Sequence, residues 1–407
     1  MYSKFNVFVN YLVTFFIVSF SGINMYFNNK YAILLPLFLS IIVFFARKKN
    51  IDKLFFLFII FLTITIIGQI WTRYNISVYS VYSTYIFFCF PYFGVKSVGK
   101  DFFIKYYLNL LFAICIIVIP FYLLTNFFDN LNYVFSEISL KLGIDPESNE
   151  SIIFYNVEFK RIFGIIRNAG PFWEAGGFAG FLVIGIIFSY IKYHSILNKY
   201  SKLFIIMLLS TFSTAGYICL FFLLALHTFK IKSKYIKTIY LLSLITSSII
   251  TYNSLEFLND KIDKQIEIAL SDEEYRNKGR IGSALVDIQE IINYPIFGKG
   301  KSEILRWGNE SLDETQKHRT NGFFDFMLKY GIPLSIVYWL LIYLNLRNIL
   351  IDNKFYNYKK ISFFIVIILI ILSNSQIWLL KPIFVSLLFF YPTSESNYVK
   401  SNYFISK

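Results

Sequence analysis

The sequence predicts an all-α fold: a polytopic helical membrane protein with about twelve transmembrane helices, both termini cytoplasmic and two large extracytoplasmic loops containing short helices. Three observations predict it. Hydrophobic residues fill 56% of the 407 positions and charged residues only 16%, a balance that no soluble globular domain tolerates. Apolar runs of membrane-spanning character recur along the whole length, which makes residues 1–407 a single membrane domain. Short basic stretches separate many of those runs, as the positive-inside rule expects of cytoplasmic loops.

In chain order, the apolar segments run from Phe5 to Gly22, Tyr31 to Ala46, Leu54 to Trp71, Ile76 to Val95, Tyr106 to Leu124, Phe172 to Ile191, Leu203 to His227, Ile236 to Thr251, Phe324 to Leu346, Ile361 to Ser373 and Trp378 to Tyr391. The first follows only Met1 to Lys4 and lacks a small-x-small cleavage site, so it reads as an uncleaved span. The cysteines Cys89, Cys115 and Cys219 all fall inside apolar runs and act as small hydrophobes; neither a disulfide framework nor a CxxC metal site is available.

The run from Leu203 to His227 decides the topology. It is interrupted by Ser210 to Gly216, "STFSTAG", a small, polar, helix-weakening cluster. As one helix it would put Lys230 to Lys237, "KIKSKYIK", on the opposite side from Ala46 to Lys53 and from Lys96 to Lys100. As two short helices meeting at the cluster, it lands every short basic loop on one face. The second reading is preferred, and it leaves two long polar loops outside, at residues 125–171 and 252–323. Both are far longer than a connection needs, and long loops are where function concentrates.

The formal charge of +14 invites nucleic acid as a partner. The basic residues are scattered between spans with no continuous basic, aromatic-interleaved patch, so nucleic acid is set aside. Of nine arginines, only Arg47 and Arg347 fall on the cytoplasmic side; Arg73, Arg161, Arg167, Arg276, Arg280, Arg306 and Arg319 fall outside. About nineteen of the thirty lysines go the other way. Lysine is an adequate topogenic point charge, whereas the guanidinium fork binds phosphate and carboxylate bidentately. The outer arginines therefore suggest an anionic ligand, the bland alternative being mixed solvated charge on long loops. Arg167 opens "RNAGPFWEAGGFAGFL", an Asn-Ala-Gly-Pro turn into a span whose start carries Glu174, either a functional carboxylate at the membrane edge or the ion-pair partner of Arg167. Arg280 opens an amphipathic helix that includes Asp287 and is closed by Pro295, Gly298 and Gly300, which sets a guanidinium at a helix start where the dipole favours an anion.

His194 and His227 lie near cytoplasmic ends of spans and read as interfacial residues. His318 alone is outside, six residues before a span and near headgroup depth. Imidazole suits general-base work at neutral pH, and Lys317 and Arg319 beside it would hold the ring neutral.

These elements resemble the bacterial O-antigen ligase and polymerase superfamily. The resemblance rests on "RNAGPFWEAGG", "KGRIGSALVDIQEIINYPIFGKG" and "HRTNGFFDFMLKYGIP", and covers most of the chain in topology. It implies transfer of a glycan from undecaprenyl pyrophosphate to a sugar hydroxyl at the outer face of the cytoplasmic (inner) membrane, without metal or other cofactor. Carried over by position, Arg167 and Arg280 hold the donor pyrophosphate and His318 activates the acceptor hydroxyl, with Arg276, Arg319, Glu174 and Asp287 as further substrate-binding candidates. The implied partners are lipid-linked glycan donor and acceptor and the surrounding membrane lipid, with room for a chain-length regulator protein. The expected activity is polymerisation of O-antigen or capsular repeat units, as in lipopolysaccharide or capsule assembly. Its rivals are a ligase attaching finished glycan to a lipid or protein, and a flippase or exporter, against which stand nearly charge-free spans and the lack of an internal repeat. A metal-dependent lipid-phosphosugar transferase would want carboxylates in its first outer loop; here Ile23 to Lys30 has none.

Overall fold

A computed structural model of the chain describes residues 4–23, 32–73, 77–128, 130–141, 150–152, 154–254, 256–271, 279–301 and 321–391. Its elements, in order, are α1 (Lys4–Gly22), α2 (Leu34–Ala46), α3 (Lys53–Arg73), α4 (Val78–Val98), α5 (Lys100–Phe127), α6 (Asn130–Lys141), β1 (Glu150–Ile152), β2 (Tyr155–Ile162), β3 (Ile165–Asn168) and α7 (Ala175–Tyr193). There follow α8 (Lys199–Ser210), α9 (Thr214–Ala225) with a 3₁₀ turn at Leu226–Phe229, α10 (Lys234–Ser254), α11 (Glu256–Leu270), α12 (Arg280–Asn293), α13 (Gly322–Asp352), α14 (Tyr358–Ser375) and α15 (Pro382–Ser386). Among the described residues seven helices, α1, α3, α5, α7, α10, α13 and α14, are long and apolar enough to cross a membrane, and α2 and α9 are shorter apolar helices. The chain is a multi-pass, almost wholly helical membrane protein.

The first large loop departs from the expectation of short helices alone. Besides α6 it carries a three-stranded antiparallel sheet in the order β1-β2-β3. Its hairpin turns at Phe163 and Gly164, both with positive φ, the combination that matches the twist of a two-residue hairpin. A bulge between Glu158 and Arg161 shifts the register.

Two further segments are interrupted within apolar runs. At "STFSTAG", α8 ends at Ser210, the chain turns through Thr211 and Phe212, and the Ser213 hydroxyl accepts the Gly216 N–H to start α9. The far ends of these two helices return to the same region: Asn198, before α8, accepts from Ser189 at the end of α7, and the Phe229 carbonyl, after α9, accepts from Asn357. That region also holds the Lys96–Asp52 ion pair at 3.1 Å, the Lys100–Asp352 pair and the Arg47 contact to Asn10 at 2.7 Å. His194 stacks on Phe355 there, and His227 lies against Tyr240.

The stretch Trp378–Tyr391, expected as a span, forms only the five-residue α15 and a 3₁₀ turn at Leu387–Phe389. It is nonetheless buried along its length and runs from Ser21, whose hydroxyl accepts from Ile383 N, to Lys96, whose ammonium donates to the Tyr391 carbonyl. Irregular backbone at membrane depth must be satisfied by protein, and side chains do so here: Tyr338 donates to Leu379 O at 2.7 Å and Asn345 to Leu388 O at 2.6 Å.

Helix α13 shows the same accounting. Pro333 has no N–H for the Lys329 carbonyl four residues back, and Gly331, at φ 81, breaks the helix just before it. The freed groups are taken by the segment after α12: Ile332 N–H donates to Pro295 O at 2.8 Å, while Lys299 N–H and Gly300 N–H donate to Leu328 O and Lys329 O at 2.5 and 3.1 Å. Gln69 on α3 closes the arrangement, donating to both Phe297 O and Lys329 O. A Cβ on Gly331 would meet the Ile296 carbonyl oxygen at 2.1 Å. Gly331→Ala is therefore expected to cost at least about 2 kcal/mol through the left-handed φ and the backbone clash. Thermal unfolding of the detergent-solubilised protein measures this, and an unchanged midpoint would mean that no such constraint operates.

Candidate functional site

The end of the bundle opposite the Lys96–Asp52 pair gathers the sheet, the start of α7, the α8–α9 turn and the start of α12. The sheet delivers Arg167. Strand β3 pairs it with Glu158 across β2, and its Nη1 donates to Glu158 Oε1 at 2.5 Å while its Nε donates to Thr211 O at 3.2 Å. Its neighbour Asn168 donates to Ser210 Oγ at 2.9 Å. Arginine is suited to this depth because its charge survives where water is scarce.

Glu158 has a second task. Its other oxygen accepts the Ala175 N–H at 2.9 Å, which satisfies one of the orphan donors at the start of α7 and sets a negative charge against the positive end of the helix dipole. The partner of Arg167 in the structure is thus Glu158, where sequence reasoning weighed Glu174.

Glu174 immediately precedes α7 and feels both arginines. Burial raises its carboxyl above the ordinary value; Arg280 lowers it, Glu158 raises it, and Arg167 and Lys261 lower it. Burial likewise depresses the Arg280 guanidinium, with Glu174 holding it up and Arg167 pushing it down. Arg280 is the first residue of α12, its backbone N–H held by Gln265 of α11 at 2.5 Å. Sequence-distant loops thereby bring Arg167, Arg280 and Glu174 into one electrostatic cluster with Glu158 and Lys261. These five side chains sum to +1 with both carboxylates ionised and to +2 with Glu174 protonated. Such a cluster at the starts of two helices favours an anion rich in oxygen acceptors.

Asp287 lies two turns along α12 from Arg280 and is fully buried. Arg276, His318 and Arg319 lie outside the described residues. The residue that caps the start of α13, however, is adjacent to the cluster's surroundings. Asn321 accepts from Phe323 N and Phe324 N and donates to Asn374 Oδ1 at 3.0 Å, and a Cβ on Gly322 would meet the backbone of Gln376. Gln376 in turn reaches over Gly176, the same point that the Glu174 Oε1 approaches. The chain emerging from the segment that contains His318 is therefore anchored one side chain away from Glu174.

Sequence reasoning missed Glu158, Lys261 and Gln376. Glu158 had a signal: "VEFKRIFGIIRN" alternates around a Gly-containing turn, as a hairpin does. Lys381 lies over the Trp173 ring at 4.6 Å, and burial pushes the Lys301 ammonium, after the α12 segment, down to about 7. Among the described residues, no group of three or more His, Cys, Asp or Glu side chains could hold a metal ion.

Compared with known proteins, the chain matches no family model and no curated sequence.

Glu158→Ala strands a mostly buried Arg167 and uncaps α7, and should destabilise the protein by about 3–5 kcal/mol, with Glu158→Gln recovering part of the loss; equal thermal midpoints for wild type and Glu158→Ala would refute the pairing. For Glu174 the sign runs through its raised pKa. Above that pKa the ionised carboxylate competes for Arg280, and below it the neutral acid leaves the arginines to an added anion. Binding of sulfate, which keeps its charge over this range, should tighten as pH falls towards the ordinary carboxylate value of 4.5, and Glu174→Gln should flatten that dependence. Calorimetric titration of both proteins across pH reads the difference.

Proposed function

We propose that the protein is a bacterial glycosyltransferase of the O-antigen ligase and polymerase superfamily that joins undecaprenyl-pyrophosphate-linked oligosaccharide repeat units into O-antigen or capsular polysaccharide. The observation that carries the reading is the convergence of Arg167 and Arg280, from separate loops, around Glu174 at one end of an apolar bundle. A pyrophosphate ester is the anion that such a site suits, and a lipid-linked one meets it at the membrane edge. On this reading the lysine-rich end, with Lys96, Lys100 and Lys230, faces the cytoplasm, the arginine cluster faces outward at the cytoplasmic (inner) membrane, and the chain has about twelve crossings with both termini inside. The irregular crossing at Trp378–Tyr391 and the α8–α9 hairpin count among them.

In the proposed reaction a sugar hydroxyl oxygen of one lipid-linked unit attacks the anomeric carbon of the donor glycan. The bond from that carbon to the pyrophosphate oxygen breaks, His318 accepts the hydroxyl proton, and undecaprenyl pyrophosphate departs. Arg167 and Arg280 stabilise the charge that develops on the leaving group. A single displacement of this kind inverts the anomeric configuration. Arg276 and Arg319 are proposed as further contacts to the substrate, with Glu174 setting the charge of the site.

The test is elongation by purified protein supplied with a lipid-linked repeat unit in the presence of a chelator. Polymer ladders are expected to persist with chelator and to fall by at least about 10²-fold in Arg280→Ala and His318→Ala, single repeat units remaining on the lipid. Normal-length polymer from a stably expressed His318→Ala protein would remove the histidine from the chemistry, and passage of the lipid-linked unit across the bilayer without elongation would replace the transferase by a transporter.

A further inference from the structure

The first large loop folds back against the end of a membrane-crossing helix. Helix α5 is one of the seven long and apolar enough to cross, and it ends at Phe127. Its last turns are open at Leu123, Leu124 and Phe127, as they are on a helix that faces lipid. Helix α6 begins three residues later and returns alongside it: the buried Phe135 meets Phe121 edge-on, with ring centroids 6.2 Å apart. Phe121 stands six residues before the end of α5, about 9 Å back along the helix axis. Helix α6 therefore runs at the depth where α5 leaves the hydrocarbon.

The side chains of α6 are sorted for that depth. At about 100° per residue, Phe135, Leu131, Ile138 and Val134 follow one another around the helix as one apolar arc, and Lys141, Asn130 and Glu137 continue it as a polar one. Phe135 is buried and Leu131 partly so, whereas Ile138, Val134 and the three polar residues are exposed. The exposed apolar residues thus lie between a protein-facing side and a charged side. A helix lying in the plane of a membrane interface has this sorting.

The β2–β3 hairpin reaches the same level. Asn126 accepts the Ile166 N–H at 2.7 Å, and the Tyr155 and Thr125 hydroxyls are 3.3 Å apart, so the sheet is fastened across the end of α5. The turn of the hairpin presents Phe163 at 59% exposure, and Ile165 beside it is exposed as well. With Phe127 and Phe128, exposed on the α5 side of the Asn126–Ile166 bond, they make an apolar, aromatic-rich patch. Such a patch marks an interaction surface, and aromatic rings concentrate where hydrocarbon meets headgroups.

We propose that α6 and the hairpin tip form an interfacial anchor, seated in the headgroup–acyl boundary of the leaflet at this end of the bundle. Lipid is the partner because the patch is continuous with the exposed last turns of a membrane-crossing helix and lies at their depth. Arg167 follows Ile166 directly, so the same seating sets the arginine cluster at headgroup level. The anchor is independent of which anion the cluster binds.

The experiment attaches a nitroxide label to Val134→Cys, Glu137→Cys, Ile138→Cys or Phe163→Cys in the full chain, with Cys89, Cys115 and Cys219 replaced by alanine, in phosphatidylglycerol–phosphatidylcholine nanodiscs. Power saturation compares collisions with oxygen, which concentrates in hydrocarbon, and with a nickel chelate, which stays in water. The labels at Val134→Cys, Ile138→Cys and Phe163→Cys are expected to favour oxygen and the label at Glu137→Cys the nickel chelate, a reversal between adjacent positions of one helix. A preference for nickel at Ile138→Cys and Phe163→Cys as strong as at Glu137→Cys would overturn the proposal, because the loop would then stand in water. Exclusion of both reagents from Ile138→Cys and Phe163→Cys would overturn it equally, with a protein partner or a second copy of the chain covering the patch in place of lipid.

Discussion

Hydrocarbon offers no hydrogen bonds, so every polar group that enters this bundle must find its partner in protein. That constraint explains the least regular parts of the fold. Where Pro333 and Gly331 interrupt α13, the chain following α12 supplies the missing donors and acceptor, and Gln69 covers the last carbonyl. Where the chain runs buried through Trp378–Tyr391 with little helix, Tyr338, Asn345, Ser21 and Lys96 satisfy its backbone one group at a time. These side chains lie on other helices, so each irregular segment also fixes the positions of its neighbours. Polar residues thereby specify the arrangement of helices whose apolar faces, surrounded by equally apolar lipid, would slide past one another.

The same constraint shapes the arginine cluster. Arg167 is held by a carboxylate and a backbone carbonyl, and that carboxylate also closes the start of α7. The sheet, the α8–α9 turn and α7 are therefore locked through a single ion pair, and a charge is fixed at depth without its being neutralised by chance. Glu174 is different in kind. Burial favours its neutral form and the arginines favour its charged form, so two opposed effects meet at this one carboxyl.

Much of the fold was legible from composition and periodicity. The apolar runs of α1, α3, α5, α7, α10, α13 and α14 declare themselves by length, and "STFSTAG" marked the α8–α9 break because small polar residues both weaken a helix and cap the next one. The strand pair around Phe163 and Gly164 was passed over because, amid long hydrophobic runs, a short alternation such as "VEFKRIFGIIRN" carries little weight. Trp378–Tyr391 misled in the opposite direction: it is apolar enough for a helix, and its irregular path depends on Tyr338 and Asn345, which are more than forty positions away. For the site, residue chemistry located Arg167, Arg280 and Glu174, since guanidinium and carboxylate groups at helix starts stand out against an apolar chain. Local sequence could not tell which carboxylate pairs with Arg167, because Glu158 becomes its neighbour only through the hairpin register.

The contrast between the two ends of the bundle has a physical basis beyond topology. At the lysine-rich end Lys96 pairs with Asp52 and Lys100 with Asp352, and each pair ties one helix to a neighbouring element. The Lys96 ammonium also donates to the Tyr391 carbonyl, so it holds the end of the Trp378–Tyr391 segment as well. At the other end Arg167 donates in two directions at once, to Glu158 and to Thr211, which an ammonium on a flexible stem would hold less rigidly. A guanidinium tethered at two of its nitrogens is held with its plane fixed. A donor plane preset in this way needs little reorganisation to make a further contact, which is what preorganisation means for a buried charge.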